Sequence, residues 1–244
     1  MKRFLAALLA ALTVFTLTGC GKTENPAEPV TPGQAEEPAA PTEPELTPEE
    51  IAEQERLAAE KAREERLQGL LNSMTLEEKV GQLFFVRCPE TNAVEDISTY
   101  HLGGCLLFGR DYKNGEAWLT KEQFTEKIQS YQDAAEIPLF IGSDEEGGTV
   151  TRASRNPNLF SEPFKSPQAI YSAGGMKALA QDALDKSQSL LDLGINVNFA
   201  PVCDVSTDPN DFIYDRTLGQ DAETTADYIT RTVLTMGDAG EMAV

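Results

Sequence analysis

The stretch Asp144-Glu145-Glu146-Gly147-Gly148, with Arg152 eight residues past Asp144, puts three carboxylates, two glycines and a guanidinium into one short segment. A second segment runs from Asp204-Val205-Ser206-Thr207-Asp208-Pro209-Asn210 and closes at Asp215-Arg216; Arg110 and Asp111 form a third, smaller group. Carboxylates accept hydrogen bonds from hydroxyls, and a guanidinium supplies a planar fork of donors, so the grouping suits a sugar. Gly147-Gly148 lets the backbone turn sharply and approach a ligand closely. The same acids could instead tie loops together by accepting from backbone N–H groups and arginines, and the residues alone leave both readings open. A divalent metal would have to draw on Asp144, Glu145, Asp204 and Asp215, which lie in separate loops without a short ligand spacing. No metal and no cofactor is therefore expected.

Nucleophilic catalysis of the Ser or Cys type has little support. His101 is the only histidine, and it precedes the second expected strand, away from the acidic loops, where a structural role is expected rather than proton transfer. Cys88, Cys105 and Cys203 lie in or beside expected strands, so buried free thiols are expected, with a Cys88–Cys105 bridge as the alternative.

The elements that must position these loops alternate. Apolar, β-rich runs occupy Leu83 to Cys88, Gly104 to Gly109, Pro138 to Ser143 and Val197 to Asp204. They lack strict polar alternation, as strands covered on both faces do. Helical patterns fill Thr120 to Ala135, Gly175 to Leu193 and Ala222 to Ala239, and a capping box at Thr75-Leu76-Glu77-Glu78 opens a short helix through Gln82. Strand, helix, strand, helix at this spacing predicts a parallel sheet with right-handed crossovers. Its chemistry should collect at the carboxyl ends of the strands, where Asp144, Asp204 and Arg110 all fall.

Upstream of this domain the composition changes. Lys2 and Arg3, the apolar run Phe4 to Thr18 and Leu17-Thr18-Gly19-Cys20 have the order of a secretory leader, and the run is too short to span a bilayer. Leu-Thr-Gly-Cys resembles the lipobox of bacterial lipoproteins, which implies a signal peptide over residues 1–20, lipidation of Cys20 and an extracytoplasmic protein anchored to the cell membrane. Residues 21–46 form a Pro/Glu-rich linker expected to be disordered, since half of the fourteen prolines lie between Pro26 and Pro48. Thr47-Pro48-Glu49-Glu50 reads as a helix start, opening a charged helix over residues 47–72 of which only the last turn or two should pack. The chain of 244 residues carries 40 acids against 20 bases, a net charge of -20. That charge argues against nucleic acid as a partner, because such binding relies on neutralising phosphates.

The remainder resembles family 3 glycoside hydrolases, in their β-N-acetylhexosaminidase branch. The resemblance rests on Met74 to Leu83, on Ile137 to Ile141 leading into Asp144 to Arg152, on Gly194 to Val205, and on Asp215 to Gly219. Glu145 stands where that branch's Asp-Gln-Glu-Gly-Gly signature has Gln. The resemblance implies a TIM barrel whose rim holds a terminal N-acetylglucosamine through Asp144, Arg152 and Arg216. It implies a retaining hydrolysis of β-N-acetylglucosaminides, with peptidoglycan-derived sugars as the usual substrates. In that branch an Asp forms the covalent glycosyl-enzyme, a loop His paired with an Asp serves as acid/base, and a Lys-His block helps to hold the sugar.

None of those latter blocks is found in residues 73–244. A fifth strand should begin near Met242. The expected fold class is therefore α/β, the N-terminal half of a (β/α)8 barrel, truncated after about four βα units, with two unpaired sheet edges. No catalytic residue is expected in this chain, and it is expected to be inactive as it stands. A non-catalytic glycan-binding lipoprotein and a β-glucosidase-type exo-glycosidase are the alternatives.

Overall fold

The computed structural model describes residues 46–244; the leader, Cys20 and nearly all of the linker lie outside the described residues. Helix α1 spans Pro48–Ser73 and carries no buried residue. Its Thr47 capping box is formed, Glu50 Oε2 accepting from the Thr47 backbone N–H at 2.8 Å. The chain divides into two units between Gln54 and Glu55, inside this helix, and the fold described here belongs to the second.

After α1 come α2 (Leu76–Gln82), β1 (Phe85–Arg87), α3 (Ala93–Tyr100), β2 (Gly104–Leu107), the hairpin strands β3 (Lys113–Asn114) and β4 (Ala117–Trp118), and α4 (Lys121–Ala134). They are followed by β5 (Phe140–Ser143), α5 (Pro167–Leu191), β6 (Val197–Asn198), α6 (Ala222–Ala239) and β7 (Met242–Ala243). The main sheet is parallel throughout, in the order β1-β2-β5-β6-β7. Each new strand thus adds to the same edge, with no reversal of direction. Doubly wound sheets reverse and barrels do not, so this is the connectivity of a barrel wall. The sheet is not closed: β1 and β7 are its edges.

Two faces follow from the register. Cys105 pairs with Ile141, and both lie in a buried cluster with Ile97 of α3, Phe124 and Ile128 of α4, and Leu190 of α5. That is the layer between strands and helices. On the other face Gly104 and Gly142 make room for aromatic rings. A Cβ on Gly142 would stand 2.7 Å from Phe85 and 2.8 Å from Phe199, whose rings meet edge to face at 5.4 Å. Small residues beside large ones are how side chains fill the inside of a barrel. A second cluster, Leu179 of α5 with Leu218 and Tyr228 of α6, joins the last two helices.

Several elements differ from expectation. The run Leu83 to Cys88 yields only three strand residues, with Leu83 and Phe84 exposed, because α2 continues into a turn whose N–H groups bond back to Val80 and Gly81. Val197 to Asp204 yields two; the backbone leaves the sheet at Phe199, and the Ala200-Pro201 bond is cis. Helix α5 begins at Pro167, with Ser166 as N-cap, rather than at Gly175, and it is broken at Gly174 and Gly175, the latter at φ +63°. Helix α3 and the β3–β4 hairpin were not expected. In α1 even Leu67, Leu70 and Leu71 are exposed, so its last turns do not bury the apolar side chains expected to pack. Cys88 and Cys105 are buried free thiols as expected, but Cys203 is exposed, since it lies in the loop rather than in a strand.

Candidate functional site

The segment Asp144 to Arg152 leaves the carboxyl end of β5 and folds back on itself. Gly147 (φ +96°) and Gly148 (φ +65°) reverse it, and the Gly147 N–H donates to Val150 O at 3.1 Å. No side chain fits there: a Cβ on Gly147 would stand 2.1 Å from the Lys165 carbonyl oxygen. The reversal returns Arg152 to Asp144, and one arm of its guanidinium donates to Asp144 Oδ2 at 2.9 Å. A second arm donates to the Thr151 carbonyl at 3.1 Å. Both side chains keep part of their surface open to solvent, 24% for Arg152 and 19% for Asp144. They therefore form an ion pair that a polar ligand can reach.

Glu145 and Glu146 point elsewhere. Glu145 is fully buried, and its carboxylate accepts from the Arg152 N–H at 2.6 Å, from the Ala153 N–H and from Ser154 Oγ at 2.9 Å. It is the internal tie that holds the Arg152 turn. Burial pushes its carboxyl upward, against the opposing pull of these donors. Its own backbone is gripped by Asn198, whose Oδ1 accepts from the Glu145 N–H at 2.9 Å, so β6 sets the height of the turn. Glu146 receives the Arg216 fork, Nε on Oε2 at 2.8 Å and NH2 on Oε1 at 2.6 Å. The pair raises the guanidinium's already high pKa, with smaller help from the charges of Asp204 and Asp144.

The loop from Asp204 to Arg216 is held mainly by its own acids. Ser206 Oγ donates to Asp211 Oδ2 at 2.6 Å and the Asn210 N–H donates to Asp208 Oδ1 at 2.9 Å, while Asp204 and Asp215 are exposed. Of the acids in these loops, then, Glu145, Glu146, Asp208 and Asp211 do loop-tying work, and Asp144 is placed with Arg152 at the open rim. Asp111 also ties: it is buried, and its Oδ2 accepts from the Phe108 N–H at 2.8 Å.

Sequence reasoning missed the aromatic part of this rim. Phe108, just past β2, has two guanidinium groups near its ring, Arg87 at 4.7 Å and Arg152 at 5.8 Å from the ring centre. Trp118 on β4 carries Lys113 Nζ over its ring at 4.5 Å. Together with Arg110, Arg152 and Arg155 these side chains border an open cavity of about 670 Å³. The Asn114-Gly115 pair, a strong hairpin signal with Gly115 at φ +59°, could have revealed the hairpin that brings Trp118 here. His101 lies, as expected, at the other end of the sheet, before β2.

The Glycosyl hydrolase family 3 N terminal domain profile matches residues 75–244. Among curated proteins, the chain is 36% identical over 118 residues to beta-hexosaminidase A of Pseudoalteromonas piscicida, covering 48% of this chain and 19% of that protein. It is 28% identical over 169 residues to the beta-hexosaminidase LpqI of Mycobacterium tuberculosis, covering 68% and 41%. It thus spans well under half the length of either relative. Among solved structures, a glycoside hydrolase family 3 beta-N-acetylglucosaminidase from Paenibacillus sp. superposes with a TM-score of 0.59 at 29% identity, over 70% of this chain and 32% of that one. The M. tuberculosis LpqI structure gives 0.60 at 25% identity, over 72% and 49%.

Proposed function

The chain belongs to glycosyl hydrolase family 3, and from that premise we propose that residues 75–244 form the sugar-holding part of a retaining β-N-acetylhexosaminidase. The observation that carries this reading is the largely buried but solvent-reachable Asp144–Arg152 pair at the carboxyl rim of a barrel-type sheet. Asp144 accepts from sugar hydroxyls and Arg152 donates to sugar oxygens, each aimed by its partner. Arg216, its Nε and NH2 held by Glu146 two residues past Asp144, is assigned to the same sugar. The names of the relatives, beta-hexosaminidases and a beta-N-acetylglucosaminidase, support an N-acetylglucosaminyl group as the unit held.

The cavity beside Arg152 supports a muropeptide-like leaving group. Its Trp118 ring offers a stacking face, and Lys113 and Arg155 offer charge to carboxylates, Arg110 being paired with Glu90. The family's covalent-intermediate Asp and acid/base His have no counterpart among the rim residues described here, so the 244-residue chain is expected to bind without turning over. The leader motif at Leu17 to Cys20 supports a lipid anchor on the outer side of a cell membrane.

Saturation-transfer NMR of the purified chain with N-acetylglucosamine tests the binding part. A signal abolished by Asp144→Asn supports the assignment, and a signal unchanged by it removes Asp144 from the site. Replacing the matching segment of the M. tuberculosis relative by residues 75–244 tests the activity. The chimera should release 4-methylumbelliferone from the β-N-acetylglucosaminide and not from the β-glucoside; the reverse preference would favour a β-glucosidase.

A further inference from the structure

At the opposite, amino end of the sheet, three side chains from three separate segments converge. Glu78 lies on α2, His101 follows α3 in the left-handed conformation (φ +50°), and Glu136 lies between α4 and β5. One carboxylate oxygen from each glutamate and one imidazole nitrogen lie within 4.8 Å of one another. All three residues border one cavity of about 350 Å³, between the end of α1 and the α4–β5 connection. We propose that Glu78, His101 and Glu136 form a binding site for a divalent transition-metal ion of the zinc class.

The chemistry of the set fits that class. One neutral imidazole with two carboxylates supplies three protein ligands and leaves a fourth position for water on the cavity side. Ions bonded about 2 Å from each donor hold those donors about 3.4 Å apart in a tetrahedron, so closure from separations of at most 4.8 Å needs a shift of no more than about 1.4 Å. Calcium and magnesium prefer oxygen ligands alone, which makes the imidazole selective against them.

The charges fit as well. Among the described residues, neither Glu78 nor Glu136 has a Lys or Arg in ion-pair range. An ion entering between the two carboxylates would therefore displace no resident cation.

The outer contacts are also of the kind that aim metal ligands. The Thr75 N–H donates to Glu78 Oε2 at 2.6 Å, which leaves Oε1 for the ion. Gln82 Nε2 donates to the His101 carbonyl at 2.9 Å and fixes the turn that carries the imidazole. Bound there, the ion would clasp α2, the α3–β2 turn and the α4–β5 connection. On a barrel the amino face serves stability rather than catalysis, so the ion is assigned a structural role, apart from the sugar site.

Isothermal titration of the full chain with zinc chloride, followed by thermal unfolding, tests the site. One equivalent should bind and raise Tm, and calcium should do neither. Glu136→Gln alters an exposed side chain and should weaken zinc binding at least tenfold and abolish the Tm rise; His101→Asn, which keeps the left-handed backbone accessible, should do the same. Asp144→Asn and Cys203→Ser should leave binding intact. Equal zinc binding by wild type, Glu136→Gln and His101→Asn would overturn the proposal, as would binding that disappears with Cys203→Ser.

Discussion

Glu146 and Arg216, seventy positions apart in sequence, are joined by two hydrogen bonds of 2.8 and 2.6 Å. The pair fastens the loop after β5 to the loop after β6. It leaves Asp144, two residues before Glu146, facing the rim beside Arg152.

Because the Glu146 side chain is only 6% exposed, removing Arg216 strands a buried carboxylate. Arg216→Ala should therefore destabilise the domain by about 2 kcal/mol, less than for a fully buried pair because Arg216 itself is partly solvated. Arg216→Lys should recover only part of that loss, since an ammonium cannot reproduce the fork. Urea unfolding of the three proteins measures both differences.

Asp144→Asn and Arg152→Ala touch side chains that are only partly buried. Each should cost about 1.4 kcal/mol in sugar binding, or about tenfold in Kd, while the urea midpoint should move less for Asp144→Asn, which keeps an acceptor for Arg152, than for Arg152→Ala, which leaves Asp144 unpaired. Competition NMR against N-acetylglucosamine reads the first quantity and circular dichroism the second.

Glu145 stands where the similar signature has Gln, and its burial favours the uncharged form. Gln at this position keeps one oxygen for the Arg152 and Ala153 N–H groups, and its amide can donate to Ser154 Oγ, which can rotate to accept. Glu145→Gln should thus fold with stability within about 1 kcal/mol of wild type at neutral pH. Its advantage should grow as pH rises from acid, because the wild-type carboxyl, raised in the folded state, must ionise while buried. Glu145→Ala, which leaves those donors unpaired, should unfold at much lower urea.

Glu241 precedes β7 and is 2% exposed; its Oε2 accepts from Ser187 Oγ at 2.6 Å, and its Oε1 is buried without a partner. Burial pushes its carboxyl up from 4.5 to about 7. The folded state then holds a proton that the unfolded chain releases, so the contribution of Glu241 to stability is full below pH 4.5 and is lost as pH rises to about 7. The loss is on the order of 3 kcal/mol. Glu241→Gln should flatten this part of the profile, as urea titrations at a series of pH values would record.

How much of the site could be read beforehand differs residue by residue. Asp144 at the end of an apolar run, with paired glycines next and Arg152 a short reach away, announced a rim pair, and the pair is there. The division of labour among the three consecutive acids was not legible. Asp144, Glu145 and Glu146 are chemically alike in sequence, and only the direction each side chain takes from the turn decides which faces solvent. The alternation of strands and helices was legible because apolar runs and capping boxes act within a few residues. Strand lengths were not, since Val197 to Asp204 is apolar enough for a strand yet leaves the sheet after Asn198.

What depends on local chemistry was legible in the residues alone: the caps at Thr47 and Thr75, the glycine turn at Gly147-Gly148, the β-rich runs and the family motifs. Which distant groups meet emerged with the folded chain. It brought Arg216 to Glu146, Arg87 and Arg152 to Phe108, and Glu78 and Glu136 to His101. The physical reason is range. Backbone propensities and caps are settled by near neighbours, whereas ion pairs and ligand sets form between side chains whose separation is set by how the strands stack.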